Sequence, residues 1–207
     1  IRVRGGEGFE KIDAMRAPMT YGNRLYLGGK TGFHQPDFSA DVARTGWAWG
    51  CGSGDFDNDG AEDIVLSQNE FSVHGEESRQ DAGFGLLLAG RGDGSFEDRG
   101  IGESGLTVFG EGRGAAAADF NHDGRTDLVI CQNGSKPKLF LNQAERRGLR
   151  VRLQAGEGNR DGVGAILRLE SNEKLGPARV VRLGSGFLSQ NATTQILGGA
   201  EGATALR

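Results

Sequence analysis

Asp55-Phe56-Asp57-Asn58-Asp59-Gly60-Ala61-Glu62-Asp63, running straight into Ile64-Val65-Leu66, is the stretch that decides how this chain folds. It returns as Asp119-Phe120-Asn121-His122-Asp123-Gly124-Arg125-Thr126-Asp127, running into Leu128-Val129-Ile130. Oxygen-bearing side chains fall at positions 1, 3, 5 and 9 of each copy: Asp55, Asp57, Asp59 and Asp63, then Asp119, Asn121, Asp123 and Asp127. Alternate residues of a tight loop point inward, so such a set converges on one point. Position 7, Ala61 or Arg125, adds a backbone carbonyl, and Gly60 and Gly124 at position 6 suit a turn that needs positive φ. Calcium takes six to eight such oxygens at about 2.3–2.6 Å. The expected cofactor is therefore Ca2+, at two sites.

Charge supports an ion. Carboxylates about 5 Å apart repel by roughly 3 kcal/mol per pair at an effective dielectric near 20, but by less than about 1 kcal/mol in bulk-like water. A fully solvated acidic hairpin is thus the competing reading, and two matching copies weigh against it. An EF-hand also opens D-x-[DN]-x-[DN]-G, yet it needs a Glu at position 12 and flanking helices. Here position 12 is Leu66 or Ile130, each inside an apolar run of strand character. Magnesium demands tighter octahedral geometry. Zinc wants Cys or His, and His34, His74 and His122 have no ligand spacing.

The loops also mark a repeat. Residues 24–69 and 85–133 run in the same order: an apolar strand, a glycine-rich turn ending in Phe33 or Phe96, a linker, a small-residue strand, the acidic loop and an apolar strand. Lys138-Leu139-Phe140-Leu141-Asn142 reads as the opening of a third unit, and Gly5-Gly6-Glu7-Gly8-Phe9-Glu10-Lys11-Ile12 as part of another. Short strands recurring at such a period predict an all-β protein of β-propeller-type blades. Arg91-Gly92-Asp93 spells an adhesion tripeptide but sits in the glycine turn of a unit, and a turn is the expected role.

From residue 143 onward the pattern changes to alternating Arg and apolar residues, then Asn159-Arg160-Asp161-Gly162-Val163-Gly164-Ala165 and further glycine-punctuated strands. This predicts a small β domain over 143–207 after blades over 1–142. Its arginines are expected on a solvent face and its NRDG turn is expected to be structural. Asn133-Gly134-Ser135 and Asn191-Ala192-Thr193 are formal glycosylation acceptors.

Composition excludes some functions. Glycine makes up 37 of 207 residues, far above the usual ~7%, as many short strands require. Net charge is −4, and eight of the acids lie in the two loops. A pI near 5.5 offers no nucleic-acid footprint, which calls for about 9 or more. No segment reaches the ~18 apolar residues of a membrane span. Cys51 and Cys131 lack CxxC spacing, so buried free thiols are expected, with a disulfide as the alternative.

The acidic loops with Thr45-Gly46-Trp47-Ala48-Trp49-Gly50 before the first and apolar strands after both resemble FG-GAP/VCBS repeats. The segment Asn159–Ala165, with Gly184-Ser185-Gly186-Phe187-Leu188-Ser189-Gln190, resembles the ASPIC/UnbV domain. Together they are similar to the cartilage acidic protein group and its bacterial relatives. The resemblance implies a partial propeller followed by an ASPIC/UnbV-like β domain, truncated at its C-terminal end. It places calcium ligands at Asp55, Asp57, Asp59, Ala61 and Asp63, and at Asp119, Asn121, Asp123, Arg125 and Asp127. The expected protein is non-enzymatic and secreted, periplasmic or at the cell surface. It mediates protein binding, adhesion or assembly, with other chains or missing blades of its own chain as partners. A glycan-binding propeller using Trp47, Trp49, Tyr21 and Tyr26 is the alternative. A hydrolase or lyase ranks lower, because no nucleophile elbow, acid–base pair or zinc motif is present.

Overall fold

In a computed structural model the described residues are 22–35, 40–43, 45–46, 48–69 and 83–207. They are all-β apart from two single-turn helices. The chain divides into two compact units, Ile1–Thr45 and Gly46–Arg207. Within the first, β1 (Leu27–Gly29) and β2 (Gly32–His34) form a hairpin with Leu27 opposite His34. A short helix, α1 (Ala40–Ala43), is tied to Asn23, whose backbone N–H donates to Ala43 O at 3.1 Å.

The second unit is built on two antiparallel meanders. Strands β3 (Ala48–Gly54), β4 (Asp63–Gln68), β5 (Leu86–Gly90) and β6 (Phe96–Arg99) pair in chain order as a four-stranded sheet. Helix α2 (Ile101–Ser104) then leads to β7 (Glu111–Ala118), β8 (Asp127–Asn133) and β9 (Ser135–Phe140), a three-stranded sheet. Each acidic loop closes a hairpin: Gly54 faces Asp63 across the first and Ala118 faces Asp127 across the second. That is the hairpin setting expected from the apolar runs that follow the loops.

β4 and β8 are strands because Ile64-Val65-Leu66 and Leu128-Val129-Ile130 are β-branched and apolar. β3 and β7 are rich in Gly and Ala, which favour strands poorly, and packing explains their composition. A Cβ on Gly50 would overlap the carbonyl of Arg113, and one on Gly52 would lie 3.7 Å from Ala115 Cβ. Only small residues let the two sheets approach this closely. Their shared core holds Phe56, Val65, Leu106, Val108, Ala115, Leu128 and Ile130.

The repeat has a different phase in space from the one read along the sequence. Residues 85–99 do not open a second unit; as β5 and β6 they complete the sheet of β3 and β4. Lys138–Phe140 likewise opens no third unit and lies in the last strand of the second sheet. Pairing reaches further than a short window shows: Ile64 faces Leu88 and Leu128 faces Phe140. The several small sheets among the described residues are open, and none closes into a barrel or propeller.

The tail contributes β10 (Leu149–Val151), β11 (Ile166–Leu167), β12 (Leu169–Ser171), β13 (Lys174–Leu175), β14 (Arg179–Val180), β15 (Gln195–Leu197) and β16 (Ala205–Leu206). β10 pairs with β15, β11 with β14, and β12 with both β13 and β16. Leu167, Val181 and Leu197 form its own buried cluster, backed by Val151, Leu153 and Leu169. The NRDG stretch is a turn: Asn159 Oδ1 accepts from Val163 N at 2.8 Å, and Asn159 Nδ2 donates to Val163 O at 2.9 Å. Arg91-Gly92-Asp93 is a turn as well, with Arg91 paired to Glu97 at 3.2 Å and Asp93 accepting from Ser95 N at 2.8 Å. One expectation fails outright. Cys51 and Cys131 are free but exposed: Cys51 sits between Gly50 and Gly52 on β3, and Cys131 lies at the register shift between Ile130 and Gln132 on β8.

Candidate metal centre

The two acidic loops share one hydrogen-bond scheme. Asp55 Oδ1 and Oδ2 accept from the N–H groups of Asp59 at 3.1 Å and Gly60 at 3.0 Å. Asp119 does the same for Asp123 at 3.0 Å and Gly124 at 3.3 Å. Asp57 and Asn121 each accept from the position-5 N–H at 3.1 Å. Position 9 ties the loop to the sheet. Asp63 accepts from Phe56 N at 2.7 Å and Gly90 N at 2.8 Å, and Asp127 accepts from Phe120 N and Asn142 N at 2.8 Å each. The backbones agree as well, with φ of 56° and 60° at Asn58 and His122, and of 96° and 82° at Gly60 and Gly124. Glycine at position 6 and Asn or His at position 4 tolerate this left-handed region.

In the first loop, ligand oxygens of Asp55, Asp57 and Asp63 lie within 4.8 Å of one another. Oxygens held at about 2.4 Å from one calcium ion lie no further apart than about 4.8 Å, so this group could hold a metal ion. Asp55 and Asp63 are only 3% and 2% exposed. Burial pushes the Asp55 carboxyl up to about 7, against the opposing pull of Arg179 and the Gly60 N–H. Burial also pushes Asp63 up to about 6, although the Gly90 and Phe56 N–H groups stabilise its anion. Two desolvated carboxylates beside a third is the environment that a bound cation relieves. Asp59 is turned elsewhere, accepting from Ala61 N at 2.7 Å.

The second loop carries the same frame with a different charge. Asn121 replaces the carboxylate at position 3, so the acids there do not form a comparable three-acid group among the described residues. Arg125 lies 2.7 Å from Asp123 Oδ2, which also accepts from Asn121 Nδ2 at 3.0 Å. Desolvation pushes the Asp123 carboxyl up, but the bonds from Asn121 and Arg125 outweigh it and hold it below the usual carboxylate range. Arg125, expected to offer a carbonyl, thus brings a guanidinium to its own loop.

The tail grips both loops, which the sequence did not disclose. Arg179 Nη2 donates to Gly60 O at 2.9 Å and lies 3.6 Å from Asp55 Oδ2, while its Nη1 lies 3.6 Å from Glu62 Oε1. Arg150, expected on a solvent face, is turned to Asp119 Oδ2 at 3.2 Å. Gly199 N donates to Asn58 O at 3.1 Å, and a Cβ on Gly198 would overlap the Asp55 carboxylate. Asn191, read as a formal glycosylation acceptor, bridges the sheets: its Oδ1 accepts from Ala117 N at 2.9 Å and its Nδ2 donates to Ser53 O at 3.3 Å. A polar cavity of about 140 Å³, lined by Asp55, Asp119 and Arg179 among others, lies between loops and tail. These contacts join residues between 31 and 141 positions apart, and alternating Arg and apolar residues carry no local sign of them.

Of the aromatics considered as sugar platforms, Trp49 is covered, with Arg113 4.6 Å above its ring and Phe187 at 6.0 Å. Tyr26 is exposed. Tyr21 and Trp47 lie outside the described residues.

The raised carboxylates set the pH dependence of the metal-free protein. Between roughly pH 4, the unfolded value, and pH 7 the folded state binds more protons, so stability falls as pH rises through this window. The contribution is complete below about pH 4 and lost above about pH 7. Urea unfolding in chelator is expected to show lower stability at pH 8 than at pH 5, with the difference reduced in Asp55→Asn. A difference that Asp55→Asn leaves unchanged contradicts this.

No protein-family model matches the chain, and neither does any curated protein.

Proposed function

We propose that the protein is a calcium-stabilised, non-enzymatic binding module that works outside the cytoplasm. In this reading the acidic hairpins belong to FG-GAP/VCBS-type propeller blades and the tail is an ASPIC/UnbV-like domain. The observation that carries it is the gathering of Asp55, Asp57 and Asp63 oxygens within 4.8 Å in a buried hairpin. These hard oxygen donors suit calcium, and the Ala61 carbonyl of the same loop, which accepts a long 3.4 Å bond from Arg179, would complete the set. The second site would use Asp119, Asn121 and Asp127, with the Arg125 carbonyl. Calcium supplies the counter-charge that the desolvated carboxylates lack, so its binding energy adds to folding energy. Sites of modest affinity fill where calcium is near millimolar, as outside cells. Two sheets sharing one core through small-residue strands support blades packed face to face. Function then resides on surfaces that the clasps hold in place.

Isothermal titration with calcium tests this reading. The first site, with more carboxylates, is expected to bind more tightly than the second. Asp57→Ala should weaken the first site and Asn121→Ala the second, each by about tenfold or more. Unchanged affinity in both variants would sink the ligand assignment.

A further inference from the structure

The internal repeat shows a strand that the second sheet lacks. Register aligns the sheets residue by residue: Leu88 and Phe140 both stand opposite the first apolar residue after an acidic loop. Leu87, Ala89 and Gly90 therefore correspond to Leu139, Leu141 and Asn142. The correspondence extends to the latch, since Gly90 N donates to Asp63 as Asn142 N does to Asp127, each at 2.8 Å. In the first sheet this strand is covered by β6, with Phe96 opposite Gly90, Glu97 opposite Ala89, Asp98 opposite Leu88 and Arg99 opposite Leu87. Among the described residues no strand pairs with the outer edge of β9.

That edge is open in other ways. Asn142 N points inward to Asp127, so by strand alternation the N–H groups of Leu139 and Leu141 point outward. Gln143 Nε2 reaches the Leu141 carbonyl at 3.4 Å, from an exposed position. Leu139 and Leu141 are 53% and 47% exposed. They border a groove of about 760 Å³ whose apolar wall includes Leu87, Leu106, Leu128 and Phe140. Pro137 falls on the outward-facing set and has no N–H, so an added strand is confined to Leu139 onward. β9 carries Lys136 and Lys138 and no acid.

We propose that this edge docks one extended segment of a partner protein, added antiparallel as a fourth strand. The proposal rests on the reading of the protein as a binding module and names its surface. β6 defines the partner's chemistry: an aromatic residue opposite Asn142, acidic residues opposite Leu141 and Phe140, and a basic residue opposite Leu139, with the second acid diagonal to Lys138, whose Nζ also donates to Thr107 O. Main-chain hydrogen bonds supply affinity and the groove selects the side chains, as in other strand-addition complexes.

The test uses the calcium-loaded full chain and a fluorescent peptide with the sequence of residues 91–100, which contains β6. Anisotropy should show saturable binding that is weakened at least tenfold by Leu141→Pro. That substitution removes an outward N–H and leaves the β8–β9 ladder intact. A peptide with both acids changed to Lys should bind several-fold more weakly. Equal binding to wild type and Leu141→Pro, or no saturable binding to wild type, would overturn the proposal. Concentration-dependent dimers abolished by Leu141→Pro would put a second copy on the edge and overturn the assignment to a partner. Calcium titration reports on the loops and peptide binding on the edge, so either reading can fail alone.

Discussion

Asp127→Ala is expected to remove about 3 kcal/mol of stability, a large share of the ~5–15 kcal/mol that holds a typical domain together. Asp127 is 0% exposed, and its two oxygens accept the N–H groups of Phe120 and Asn142 at 2.8 Å each. One bond fixes the loop's entry and the other fastens the end of β9. Truncation leaves two buried donors without acceptors, at about 1–3 kcal/mol each. Asp63 makes the equivalent bonds to Phe56 and Gly90 in the first loop. Asp63→Ala should cost less in the absence of calcium, because it also removes repulsion with Asp55 and Asp57, which gather beside it. The neutral Asn121 takes the place of Asp57 in the second loop, so removing Asp127 relieves less repulsion. Urea unfolding followed by circular dichroism in chelator would measure both. A loss below about 1 kcal/mol for Asp127→Ala would show that water reaches these donors, contrary to the burial described.

The loops were legible in the sequence because their information is local. Asp at positions 1 and 9, glycine at position 6 and a β-branched run immediately after dictate a hairpin without reference to distant residues. Which oxygens gather was only partly legible. Positions 1, 3 and 9 of the first loop converge, but Asp59 caps its own turn at Ala61 N and Asp123 is drawn to Arg125. Side-chain rotation decides this, and ligand spacing does not encode it. The repeat's phase was misread because a strand's partners are not marked along the chain. Leu86–Gly90 looks like a beginning, yet it pairs with β4 and ends the sheet started by β3. The tail's grip was invisible for the same reason. Arg179 and Arg150 alternate with apolar neighbours as solvent-facing residues do, and only the folded chain carries them to Asp55 and Asp119. The exposed cysteines illustrate the converse, since a residue type often buried stays uncovered where glycines flank it, as at Cys51, or where the pairing register shifts, as at Cys131.

Calcium is expected to have the second large effect, and it tests the account at its centre. The first loop holds three carboxylates whose ligand oxygens lie within 4.8 Å, two of them almost wholly buried, with Arg179 the nearest counter-charge at 3.6 Å from Asp55. A guanidinium bonded to Gly60 O only partly offsets that charge, whereas a divalent ion among the oxygens would neutralise most of it. An ion that binds only the folded state at about a hundred times its dissociation constant adds about 2.7 kcal/mol per site. For two sites in a chain of this size, that raises the melting temperature by on the order of 10 °C. The deciding measurement is therefore thermal unfolding of the intact protein at neutral pH, in millimolar calcium and in EGTA. A rise of that order with calcium, smaller in Asp57→Ala, is the predicted result; superimposable melting curves in calcium and EGTA would contradict it.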